Sequence, residues 1–128
     1  MKDEKETLRK TADSIHVMEK FDPAILADVT APVVSLYIPV HHTEREERRD
    51  IWDRDMFKDL MKDAERTLAE TYDKDAYKGI VEKADYLLEH PDMPLWLHAG
   101  EGLGFLMNND DIYVYNLFFA PDPMVAAG

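Results

Sequence analysis

The chain has 128 residues, of which 45% are hydrophobic, with no cysteine and a formal net charge of −12. That length and composition lead us to expect one domain with a real core, and the missing thiols exclude disulfides, thiol catalysis and cysteine-ligated metals. The acidity argues against autonomous nucleic-acid binding, because phosphate contacts demand a basic face. Any RNA contact must therefore rest on a local patch or on neighbouring domains.

No segment approaches the roughly 18 consecutive apolar residues of a membrane span. The N-terminus carries Asp3, Glu4 and Glu6 with no apolar run behind them, unlike a signal peptide, so the expected location is cytoplasmic with no membrane partner. Residues 3–20 read as a helix, because Leu8, Ala12, Ile15 and Met18 recur at intervals of three and four. Phe21-Asp22-Pro23 stops it, and residues 24–30 form a connector.

Pro32-Val33-Val34-Ser35-Leu36-Tyr37-Ile38-Pro39-Val40 is short, apolar and rich in β-branched side chains. It predicts a strand buried on both faces, with the prolines marking where ladder pairing begins and stops. The most charge-dense stretch of the chain follows directly, from His41 to Arg49.

Over residues 50–71 the period becomes helical. Trp52, Met56, Leu60, Ala64 and Leu68 form an i, i+4 ladder, widened by Phe57 and Met61. A second helix is expected over 76–90, with Tyr77, Ile80, Val81, Ala84, Leu87 and Leu88 inward and Gly79 weakening it by about 1 kcal/mol. Residues 95–99 read as a short strand. Residues 103–107 and 112–117 read as the arms of a β-hairpin around Asn108-Asn109-Asp110-Asp111, with both faces covered. Residues 118–123 leave the sheet, and 124–128 neither finish an element nor form a polar tail, which suggests a domain excised from the N-terminus of a longer protein. The expected fold is a single α+β domain. A mostly antiparallel sheet of about four strands packs with three helices, in the order α-β-α-α-β-β-β.

Gly100-Glu101-Gly102-Leu103-Gly104 has the look of a phosphate loop, but a strand follows it and no Lys is present, so a structural turn is the better reading. His41, His42 and His98 show no metal-ligand spacing, Asp110 and Asp111 are turn formers, and no Ser lies in a nucleophile elbow. No catalytic residue, metal or small-molecule cofactor is nominated. The candidate that survives is the charged loop. Arg45, Arg48, Arg49 and, a turn onward, Arg54 present guanidinium groups whose forks match phosphate, with His42 beside them. The plainer reading is a solvated helix start laced with ion pairs to Glu44, Glu46 and Glu47.

Two stretches carry a resemblance. One runs from Val34-Ser35-Leu36-Tyr37-Ile38-Pro39 through the polar loop to Arg49-Asp50-Ile51 and the helix with Leu60, Ala64-Glu65 and Leu68. The other joins Gly102-Leu103-Gly104-Phe105-Leu106 to Tyr113-Val114-Tyr115-Asn116-Leu117 and the Pro121/Pro123 segment. Together they resemble the N-terminal domain of the bacterial family similar to archaeo-eukaryotic class-one peptide chain release factors, over about residues 30–128. The resemblance implies a non-catalytic, translation-linked domain. It would contact the ribosome, rRNA or mRNA through His42, Arg45, Arg48, Arg49 and Arg54, alongside downstream domains of the same protein. Gly-Gly-Gln, Asn-Ile-Lys-Ser and the Tyr-x-Cys-x-x-x-Phe pattern of such factors are absent from this chain, which leaves ribosome rescue as plausible as termination. The alternative is an acidic protein–protein interaction module that never touches RNA.

Overall fold

Strand β2 (Val34–Pro39) is where the core begins, and its burial alternates. The computed structural model describes residues 13–18, 24, 30–40, 49–90 and 101–128, with the backbone alone over 49–52. Val34, Leu36 and Ile38 are fully buried, whereas Ser35, Tyr37 and Pro39 are half-buried. The expectation of a strand buried on both faces is thus corrected, because only one face of β2 meets the helices.

Around it lies a mixed five-stranded sheet in the order β1-β4-β3-β2-β5, built from β1 (Ile15–Met18), β3 (Gly102–Met107), β4 (Ile112–Leu117) and β5 (Met124–Ala127). β1 pairs with β4 in parallel, and every other pairing is antiparallel. Two expectations fail here. Residues 15–18 are a strand and not the end of a helix, and residues 124–127 are an edge strand rather than a loose end. Four apolar or amphipathic residues satisfy a helical period as readily as a strand edge, so periodicity could not decide either case. The expected strand at 95–99 and the helix over 3–12 lie outside the described residues.

Pro39 sets the limit of β5. Val33 and Gly128 exchange both backbone hydrogen bonds, at 3.3 and 3.0 Å, while the Val40 N–H donates to the Glu101 carbonyl at 3.0 Å. Odd residues of β2 therefore bond towards β5 and even residues towards β3. Pro39 belongs to the odd set and has no N–H to give, and the pairing with β5 stops at Tyr37.

Two helices cover one face of the sheet. Helix α1 (Arg49–Ala69) buries Asp53, Phe57, Met61, Ala64 and Leu68. Its deepest seam thus runs one residue beyond the expected ladder in its first turns, leaving Met56 and Leu60 half-buried. A 3-10 turn (Lys74–Tyr77) leads into α2 (Lys78–Glu89), which buries Ile80, Lys83, Ala84 and Leu87. Their apolar side chains meet Val34, Leu36, Ile38, Leu103, Phe105, Met107, Ile112 and Val114 in one core. Phe57 packs on Phe105 with ring centroids 4.8 Å apart. The architecture is α+β as expected, but with a five-stranded mixed sheet and, among the described residues, two α-helices.

On the opposite face a Tyr37–Gly104–Tyr115 row crosses three strands in register. A Cβ on Gly104 would run into the Tyr115 ring, so the glycine is the seat for that ring. The Tyr115 hydroxyl donates to the Tyr37 hydroxyl at 3.3 Å, and burial followed by that bond pushes its ionisation well above the usual phenol range. Leu106 and Tyr115 are both buried, so β3 is covered on both faces as expected of the hairpin, whereas Tyr113 and Leu117 leave that face of β4 half-buried. Gly102 and Gly104 lie within this strand and not in a turn.

Candidate functional site

The connector that follows β2 leaves from one end of the sheet. Pairing of Pro39 with Gly102, and of Gly102 with Leu117, sets the exit of β2, the entry of β3 and the exit of β4 side by side there. Phe118 and Phe119 follow Leu117 directly, 89% and 61% exposed, and Met124 opens β5 opposite Tyr37 at 56%. A Cβ on Gly102 would lie 2.5 Å from Pro121 Cδ and 2.7 Å from the Phe119 carbonyl oxygen. Glycine there lets residues 119–121 fold back across the sheet end, and this holds the two phenylalanine positions at the end where β2 exits.

Of the residues expected at this site, His42, Arg45 and Arg48 lie outside the described residues. Arg49 opens α1, and Arg54 stands half-buried further along it, next to the fully buried Asp53. From Arg54 the cations continue as Lys58, Lys62 and Arg66, each four residues on, so they form one ridge of the helix. Asp55, Asp59 and Asp63 form a parallel ridge beside it, and Arg66 reaches Asp63 at 3.3 Å.

The far end of the sheet is built for rigidity. Asn108 Oδ1 accepts the N–H groups of Asp110 and Asp111 at 2.9 and 2.7 Å, which closes the hairpin turn. His16 stacks on Tyr113 and approaches Asp111 Oδ1 at 3.0 Å. Both side chains of that pair are more than a third exposed, and such a pair contributes little to stability. Among the described residues no three metal-ligating side chains converge.

A second feature is a cleft of about 640 Å³ between α1 and the start of α2. It is lined by Lys62, Glu65, Arg66, Lys74, Tyr77 and Lys78, with Val81 and Glu82 at α2. Burial raises the pKa of Glu65, and Asp85 raises it further against an opposing pull from Lys74. Asp85 is itself pushed up by burial and by Glu89.

No family model matches the chain, and none of the curated proteins does.

Sequence reasoning missed the exposed phenylalanines and the cleft. Phe118-Phe119 gave one usable signal. They follow a strand already supplied with inward residues and precede Pro121 and Pro123, which prevent a further paired element from covering them. The cleft gave none, because Lys62 and Lys74 are brought together only by the packing of α1 against the turn that follows it.

Proposed function

We propose that this chain is a non-catalytic, ribosome-associated domain of a release-factor-like protein, contacting RNA at the end of the sheet from which the arginine-bearing connector departs. The observation that carries the reading is the juxtaposition there of Phe118 and Phe119, both exposed, with the exit of β2 into the connector. Guanidinium forks hold phosphates, and exposed aromatic faces stack unpaired bases, so the two together are the composition that single-stranded RNA requires. The resemblance of the strands and of α1 to release-factor N-terminal domains supports the same reading. Because the whole chain is acidic, the contact is local and its strength depends on salt.

Co-sedimentation with ribosomes tests it. The chain is expected in the ribosomal pellet at low salt and in the supernatant at high salt. Arg45→Ala, Arg48→Ala and Arg49→Ala combined should shift it to the supernatant at low salt as well. Unchanged pelleting of the triple variant would reject the loop assignment.

The exposed apolar group Phe118, Phe119 and Met124 favours a second reading, an acidic module that docks on another protein. In that case the arginine variant would leave association intact, while Phe118→Ser with Phe119→Ser would abolish it.

A further inference from the structure

We infer that the cleft between α1 and α2 binds a small organic phosphate, its anionic head among Lys62, Arg66, Lys74 and Lys78 and its apolar body against Tyr77 and Val81. The cleft has the volume of a small-molecule site, at about 640 Å³. Its lining sets four cations against two carboxylates, in a chain whose overall charge is −12. The lining is thus locally positive in a chain that is acidic as a whole.

The carboxylates nearby do not use up the cations. Arg66 pairs with Asp63 at 3.3 Å, and Lys78 approaches Glu82 only to 4.0 Å, with its side chain 72% exposed. Lys62 and Lys74 have no described carboxylate oxygen within 4 Å. They reach the cleft from different elements, one from α1 and one from the 3-10 turn. An anion placed between them would gain charge-assisted hydrogen bonds from both, sharing Lys74 with the Glu65 carboxylate that already draws on it. Tyr77 is buried in the core and Val81 is half-buried, so the wall they form is fixed and apolar. Bare phosphate would leave that wall wet, whereas a phosphate carried on a flat apolar body would cover it. Glu65 stands in the same lining and opposes an anion, and the upward push on its pKa is what a desolvated carboxylate there produces.

These residues are distinct from the connector and from Phe118 and Phe119, so the site stands or falls independently of RNA contact. Titration of the full chain with adenosine 5′-diphosphate, inorganic pyrophosphate and a short single-stranded RNA, followed by amide chemical shifts, tests it. Saturable one-to-one binding of the diphosphate is expected, tighter than pyrophosphate, with shifts confined to residues 62–82. Lys62→Gln with Lys74→Gln should weaken it about tenfold, the loss of charge-assisted bonds, at an unchanged melting temperature. Val81→Ser should weaken the diphosphate and spare pyrophosphate, and Glu65→Gln should tighten both. The triple arginine variant should bind as the wild type does. Equal affinity for the diphosphate and pyrophosphate, or no change in the double lysine variant, would overturn the assignment. So would RNA displacing the diphosphate at lower concentration, which would make the cleft part of a nucleic-acid surface.

Discussion

Gly79 and Asn109 tie the helical layer to the hairpin. The Asn109 side chain accepts the Ile80 N–H at 3.2 Å and donates to the Ala76 carbonyl at 2.6 Å, while its backbone carbonyl accepts from Lys83 Nζ at 2.6 Å. These bonds satisfy groups at the start of α2 that have no partner within the helix, where neither Tyr77 nor Asp73 supplies a side-chain cap. The hairpin approaches so closely that a Cβ on Gly79 would lie 2.5 Å from the Asn109 carbonyl oxygen. Helix propensity alone says that Gly79→Ala should stabilise by about 1 kcal/mol. The contact with backbone atoms reverses the sign, and a loss of about 1–3 kcal/mol in denaturant unfolding is expected. A gain would refute the close approach. Asn109→Ala should cost about 1–3 kcal/mol in the same measurement, because it leaves part-buried groups of α2 unbonded. A cost near zero would mean that water replaces the amide. Here the sequence is legible up to a point: Asn108 to Asp111 announce a turn, but the spacing cannot disclose a bond that reaches back 33 residues to Ala76.

The long-period elements are legible in the sequence. Met56, Leu60, Ala64 and Leu68, widened by Phe57 and Met61, repeat often enough to define an inward stripe, although the first turns bury Phe57 and Met61 more deeply than Met56 and Leu60, and the hairpin arms flank four turn residues. What escaped was short or edge-placed. Among the described residues Ile15-His16-Val17-Met18 pairs only with β4, and β5 only with β2, so neither needs a distinctive pattern. Lys83 breaks the hydrophobic rule for buried positions because its charge finds the Asn109 carbonyl. The packing of the two helices also concentrates acid, with Glu65 on α1 near Asp85 on α2 and Glu89 one turn beyond it. Both shifted carboxyls hold protons more readily in the fold than in the unfolded chain. Their charged forms therefore cost stability, and the cost grows as pH rises through the window above their ordinary values of 4.5 and 3.8. Asp85→Asn removes one charge from an i, i+4 like-charge pair with Glu89 and should stabilise by about 0.5 kcal/mol at neutral pH. The gain should vanish near pH 3, where the carboxyls are protonated in both states. Unfolding at the two pH values checks this, and an equal gain at both would contradict it.

At the scale of the molecule, a two-layer fold leaves one end of its sheet crowded with chain exits. The helices and the hairpin staple fix β2, β3 and β4, so whatever departs beyond Val40 and Leu117 departs from a rigid rim. The net charge of −12 keeps any anionic partner at a distance except where cations are gathered. A sequence could suggest the arginine cluster but not that Phe118 and Phe119 follow the sheet at the end where β2 exits, since that placement comes only from the pairing of Gly102 with both Pro39 and Leu117.

RNA contact at the sheet end is tested by the binding of a single-stranded RNA across a salt series, for the wild type and for Phe118→Ser with Phe119→Ser. A negative slope of log K against log salt is expected, about −2 for three arginine contacts. The double phenylalanine variant should keep that slope while losing about tenfold or more in affinity at every salt concentration. A slope near zero, or an affinity indifferent to both phenylalanines, would contradict it.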